Sequence, residues 1–302
     1  MKSIEQYLAG FPSPYSVFDK PKALSLYKAR DPFANKGNFG HALLLAGSYG
    51  KMGAAMLAAK ACLASGAGLL TTWLPACGYE IMQTGLPEAM VQTDDEEFYI
   101  TTYPSKAEVY QAAGIGPGIG MHEETINMLG SFLASFRRPL VVDADALNII
   151  SHSPKLMSEL HPSTILTPHP KEFDRLFGSS SDEITRLELA KKMSIQHRVI
   201  IVLKGHFTAV LTPDGHVSIN SSGNAGMAKG GSGDALTGII TALLAQSYPA
   251  ATAAPLGVYL HGCAGDLAAA LYSQEAMLAS HLIECIGKVF LDWQKEIIAK
   301  TN

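Results

Sequence analysis

Charge and cysteine are both scarce in this sequence, and a surplus of basic residues is missing altogether. Only 17% of the 302 residues are charged, and Lys+Arg 23 against Asp+Glu 27 leaves a formal net charge of −4. That balance lacks the basic footprint that nucleic-acid and anionic-membrane binders carry, so neither partner is expected. The four cysteines (Cys62, Cys77, Cys263, Cys285) stand far apart, with no CxxC pair and no local His-Cys spacing for zinc. They read as reduced thiols of a cytoplasmic protein. The opening MKSIEQYLAGFPSPYSVFDK has neither a continuous apolar core nor a small-residue cleavage site, which argues against a signal peptide. No GxxxxGK[ST] occurs, which excludes the P-loop.

Apolar residues, by contrast, make up 47% of the chain, and a chain of this length buries about three quarters of its unfolded surface. One stretch, Ala235 to Gly265, carries no formal charge and is long enough to span a bilayer. Gln246-Ser247-Tyr248-Pro249 and Pro255 interrupt it, so the expectation is two short buried helices rather than a membrane span.

Residues 1–34 are irregular and mixed, and read as a leader or linker remnant ahead of a single domain at 35–302. Short, fully apolar runs then recur: His41–Ala46, Leu69–Leu74, Ala112–Ile115, Pro139–Val142, Thr164–Leu166 and Val199–Leu203. Helical composition falls at Met52–Ser65, Glu123–Ser135, Asp182–Gln196 and Asp234–Ala245, and continues through the last third of the chain. Thr208–Leu211, Pro213-Asp214-Gly215 and His216–Ile219 give a hairpin signal. Apolar strands alternating with helices predict an α/β fold whose mainly parallel sheet is covered on both faces.

In such sheets, ligands bind beyond the carboxyl ends of the strands, and the unusual residues of this chain cluster there. The strongest segment runs from Asn224 to Asp234 (NAGMAKGGSGD) directly into helix-forming ALTGIITALL. A Gly-rich loop entering a helix N-terminus aims unpaired N–H groups at one point and favours phosphate. Asp234, in that first turn, is either a base or a carboxylate that complements the helix dipole. Asp143 and Asp145 flank a strand end and either hold water or Mg²⁺ near phosphates or cap a helix, with Asp145 the expected cap. Lys204 ends an apolar strand ahead of Gly205 and either reaches phosphates or snorkels at the surface. Gly116 lies in a Gly-Ile-Gly-Pro-Gly turn that lets backbone approach a ligand closely. The sequence itself assigns no metal ligand.

The Asn224–Asp234 segment resembles the anion hole and catalytic base of the ribokinase-like superfamily, and its Asn224–Met227 prefix is most similar to the NAD(P)H-hydrate dehydratases. Further blocks match in order over roughly residues 35–270: Asn35–His41, Ser65–Leu69, Gly114–Gly118, Val142–Leu147, Leu166–Glu172 and Val202–Gly205. Ala225, Lys171 and Lys229 depart from the pattern that the family usually shows. The resemblance implies a three-layer ribokinase-like fold and a carbon–oxygen lyase with Asp234 as catalytic base. It implies a nucleotide site at Lys204, Gly205, His206, Phe207 and Thr208, continued by Asn224, Gly226, Met227, Gly231, Ser232 and Gly233. The hydrated nicotinamide would meet Ala42, Gly116, His169 and Asp234.

The implied reaction restores NADH or NADPH from its S hydrate. Hydroxide leaves poorly, so the ring hydroxyl is first phosphorylated, and the ring nitrogen then expels phosphate. ADP, giving AMP, is the expected donor, with ATP open and Mg²⁺ bridging the phosphates. The resemblance also implies a homotetramer and an NAD(P)H-hydrate epimerase as functional partner, expected as a separate protein because few residues precede the match. Two other classes compete: a vitamin-precursor kinase of the same superfamily, and a catalytically silent nucleotide-binding regulator.

Overall fold

The computed structural model describes residues 3–301. Ten strands form one sheet: β1 (Ser16–Phe18), β2 (His41–Leu45), β3 (Leu69–Leu74), β4 (Met90–Thr93), β5 (Ala112–Ile115), β6 (Leu140–Val142), β7 (Thr164–Leu166), β8 (Ile200–Leu203), β9 (Ala209–Leu211) and β10 (Val217–Asn220). Their order is β1-β10-β9-β8-β7-β6-β5-β2-β3-β4. Only β9 runs antiparallel to its neighbours, as the hairpin signal requires.

Helices α1 (Ile4–Tyr7), α2 (Lys20–Leu26), α3 (Met52–Ala64), α4 (Tyr79–Gly85), α5 (Glu123–Ser135), α6 (Ala144–His152), α7 (Pro170–Phe177), α8 (Glu183–His197), α9 (Ser232–Ala245), α10 (Ala250–Ala276) and α11 (Ala279–Thr301) flank the sheet. Alternation along the strands sorts them into layers. Ala42, Leu44, Val141, Ile165 and Val202 join one core with residues of α3, α9, α10 and α11. Leu43, Leu45, Val142, Leu166 and Ile201 join the other with residues of α5, α6, α7 and α8. This is the three-layer arrangement expected of the fold.

Three expectations change. The segment 1–34, read as a leader, contributes structure: β1 adds an edge strand parallel to β10, and Lys20 pairs with Asp292 at 2.8 Å. Tyr27 packs against Trp293, centroid to centroid 5.6 Å. These partners lie more than two hundred positions away, where no local pattern reports them. The uncharged stretch does form two buried helices, but the second is long and runs through Pro255. No helix among the described residues is long and apolar enough to cross a membrane. Finally, α7 was not anticipated; the Pro168-His169-Pro170 segment that marks a rigid loop also supplies its cap and first residue.

Candidate active site

Most of the expected residues converge at the carboxyl ends of β6, β7 and β8, where a cavity of about 790 Å³ opens. Gly231 takes φ +91° as the chain turns into α9, a conformation that glycine adopts without strain. The turn leaves the amides of Gly233 and Asp234 without a partner among the described residues. Two free N–H groups at a helix N-terminus provide what an anion needs. Asp234 stands beside them. Burial, with the Asp143 carboxylate adding and Lys204 opposing, pushes its pKa up to about 6. A carboxylate tuned towards neutrality is well matched to accept a proton.

Asp143 follows β6 and is 1% exposed. It occupies the N-cap position of α6 but makes no cap. Lys204 Nζ donates to one of its oxygens at 2.8 Å and Thr237 Oγ1 to the other at 2.9 Å. Asp145, the expected cap, does not cap either. It accepts from the Gly120 amide at 2.9 Å and from Lys51 at 3.1 Å, tying two neighbouring loops to α6.

Lys204 is therefore no free surface lysine. Besides Asp143 it lies 3.8 Å from Glu172, itself buried at the start of α7. Burial acts to lower the Lys204 pKa, but Asp143, Glu172 and Asp234 outweigh it and raise the value. Substituting Lys204→Met should leave Asp143 buried without its countercharge, which typically costs about 3–5 kcal/mol. Because Lys204 opposes the rise at Asp234, the same variant should also shift the acid limb of the activity profile to higher pH. Denaturant melts and a pH–rate series would check the two effects separately; an unmoved acid limb would show that Lys204 does not tune Asp234.

His169 lines the cavity as expected, but its ring has a structural task. Nδ1 accepts from the amides of Lys171 (3.1 Å) and Glu172 (3.2 Å), while Glu172 accepts from the His169 amide at 2.8 Å. This reciprocal box starts α7. With Nδ1 accepting, the ring proton sits on Nε2, 3.3 Å from Glu172 Oε1. Burial and the nearby cations Lys204 and Arg175 lower the His169 pKa against the pull of Glu172.

Gly205, His206, Thr208, Asn224, Met227, Gly231, Ser232 and Gly233 also line the cavity. Phe207 is not part of the lining and packs against Tyr7, the tilted rings 5.0 Å apart centroid to centroid. Gly226 packs on Gln274 and Met277 instead. Ala42 is not brought to the cavity: it is the second residue of β2, fully buried, at the opposite end of the strand. Gly116 is not part of the lining; its α-carbon packs against the Asp143 carbonyl. The departing Lys229 also lines the cavity, and its ammonium donates to the carbonyls of Glu275 and Met277.

Four contributors were not singled out in the sequence. Thr237 lies one turn beyond Asp234. Glu172 carries the capping-box spacing from His169. Asp266 accepts from the Gly223 amide and the Asn224 side chain, both at 2.9 Å, and so pins the loop. His261 touches Ser232 and carried no sequence signal at all.

A family model described as NAD(P)H-hydrate dehydratase matches residues 42–288, most of the chain. The chain belongs to this family. Among relatives of the NAD(P)H-hydrate dehydratase type, the ADP-dependent (S)-NAD(P)H-hydrate dehydratase of Bacillus subtilis is 35% identical, over 86% of this chain and 92% of its own. The Neisseria meningitidis protein of the same description is 37% identical over 80% and 81%. A bifunctional NAD(P)H-hydrate repair enzyme from Moorella thermoacetica is 38% identical, over 89% of this chain and 52% of its own. The chain thus spans about half the length of the bifunctional relatives it matches. A Bacillus subtilis ADP/ATP-dependent NAD(P)H-hydrate dehydratase, co-crystallized with ATP/Mg2+, superposes with a TM-score of 0.81 at 31% identity, covering 92% of this chain and 99% of that one. A hydroxyethylthiazole kinase from Pyrococcus horikoshii shares the fold at 14% identity and a TM-score of 0.56.

Proposed function

We propose that this chain restores hydrated NADH and NADPH of S configuration to NADH and NADPH, with an adenine nucleotide as phosphoryl donor. ADP is the favoured donor and AMP the product, following the relatives' description as ADP-dependent. The observation that carries the reading is Asp234: a carboxylate with pKa about 6 beside two unpaired amides, in a cavity of about 790 Å³.

Asp234 takes the proton of the ring hydroxyl, and the oxygen attacks the donor's terminal phosphorus. The bond from that phosphorus to the nucleotide breaks, and its electron pair leaves with the nucleotide. The amides of Gly233 and Asp234 stabilise the charge that builds on the phosphoryl oxygens. The ring nitrogen's lone pair then expels phosphate, and loss of a proton from the adjacent ring carbon restores the double bond.

Among the described residues no cluster of three metal-ligating side chains exists. The hard carboxylate oxygens of Asp143 nevertheless fit Mg²⁺, which usually takes one or two carboxylates together with phosphates. Asp143 would hold it, and it would neutralise phosphate charge, leaving Asp234 to act as the base. Recovery of the dihydronicotinamide absorbance from the hydrate, with ADP or ATP supplied, tests the proposal. Accumulation of a stable phosphorylated product instead would mark a small-molecule kinase, and binding without turnover a silent regulator.

The phosphate site has its own test. Gly233→Val points a branched side chain towards Lys204 Nζ and the Asp143 carboxylate, into the space in front of the free amides. Nucleotide-dependent thermal stabilisation, which follows RT ln(1 + [L]/Kd), should shrink or vanish in a melting series. An unchanged shift would place the phosphates elsewhere.

The proposal extends to a cytoplasmic homotetramer served by an NAD(P)H-hydrate epimerase. The uncharged stretch is itself largely buried within the chain, so support for assembly moves to Leu267, Leu271 and Leu278, which are exposed on and just after α10. Light scattering should give a multiple of the 32.1 kDa chain mass; a value of 32.1 kDa at micromolar concentration would rule assembly out. Equal conversion of both epimers without added epimerase would remove the partner.

A further inference from the structure

The proposed chemistry leaves one buried pair unused. His261 lies on α10, 8% exposed, and reaches the first residue of α9. Its Nε2 is 2.9 Å from the Ser232 carbonyl and 3.2 Å from Ser232 Oγ. A carbonyl only accepts, so the ring proton is on Nε2 and is donated there. Burial holds the His261 pKa down at about 4, so near neutrality the ring carries that proton and no other. Nε2 consequently offers no lone pair to the Ser232 hydroxyl. Ser232 Oγ has no other partner among the described residues, and its side chain lines the cavity between Gly231 and Gly233. The hydroxyl proton is thus engaged by no described residue.

We propose that His261 is a positioning residue: by donating to the Ser232 carbonyl it directs the Ser232 hydroxyl at the transferring phosphoryl group. Ser232 then acts as a third donor beside the amides of Gly233 and Asp234. The inference rests on the phosphoryl-transfer reading of this loop. Without the ring, the hydroxyl would be free to turn and the first turn of α9 would lose its tie to α10.

A double-mutant cycle tests it. Ser232→Ala should lower kcat about ten- to a hundredfold, the worth of one hydrogen bond to a charged group, with little change in KM for the hydrate. His261→Phe should lower kcat almost as far, and the double variant no further than Ser232→Ala alone. His261→Gln keeps an N–H donor at similar reach and should recover most of the rate. If the Phe variant does not fold, His261→Asn, whose amide is too short to reach, completes the cycle. Wild-type kcat in Ser232→Ala, or losses that multiply in the double variant, would overturn the inference. ATP dissociation constants for the same proteins separate it from the parent reading. No hydrate turnover in the wild type, with ATP binding weakened in both single variants and no further in the double, would sink the dehydratase reading and keep the His261–Ser232 pair.

Discussion

Asp234→Asn should fold, bind nucleotide and lose roughly 10²–10⁴-fold in turnover, because it keeps the shape of the base and removes its ability to take a proton. The wild type should show the matching pH dependence. With a pKa of about 6 at Asp234, kcat/KM should fall as the pH drops below that value. Stability should respond in the opposite sense. A carboxyl whose pKa is about 6 when folded but about 3.9 when unfolded stabilises the fold only while protonated. That contribution is complete below about pH 4 and is lost as the pH rises through about 6. The ionised group therefore costs the native state up to about 3 kcal/mol at neutral pH. Asp234→Asn should accordingly raise Tm by a few degrees at pH 8, by about half as much at pH 5, and leave it nearly unchanged only below about pH 4. Near wild-type activity in this variant would reduce Asp234 to a partner of the helix dipole.

Gly116→Ala should be among the most destabilising single changes in the chain. Gly116 has φ +127°, where L side chains are strained, and a β-carbon built there would lie 1.9 Å from the Asp143 carbonyl oxygen. Neither partner can yield, because Asp143 is held by Lys204 and Thr237 and leads directly into α6. Strain of about 1–3 kcal/mol adds to the steric clash, so a loss of at least about 3 kcal/mol is expected in denaturant melts. Gly50→Ala provides the control: its φ is +79° but nothing lies within 4 Å of the added carbon. A Gly116→Ala loss no greater than that of Gly50→Ala would show that the contact with Asp143 is unimportant. Any Gly116→Ala protein that does fold should be impaired at the Asp143–Lys204 pair, since the main chain carrying Asp143 must move.

Much of the sheet was legible because its central strands are short, wholly apolar and buried on both faces. β3, β5, β7 and α5 fall on the predicted residues without adjustment. The edges were not. β1 has three residues and no turn signal of its own, and β4 alternates partly exposed positions that do not stand out from a loop. Pro255 was read as a break, yet α10 continues through it, buried in the core that α9 and α10 share.

The same division holds at the site. Local order along the chain determined the Gly-rich entry into α9, its helix N-terminus and the carboxylate in the first turn, because helix capping and backbone amide direction are properties of neighbouring residues. The tertiary structure alone decided what surrounds them. Lys204 pairs with Asp143 across 61 positions, Thr237 reaches Asp143 across 94, and His261 meets Ser232 across 29. Each of these contacts exists because the sheet order brings the ends of β6 and β8 under the start of α9 while α10 packs alongside. The raised pKa of Asp234 belongs to the same class, since burial and the charge of Asp143 arise only once the layers close. A residue's identity sets which proton it can carry, and its distant neighbours set the pH at which it does so.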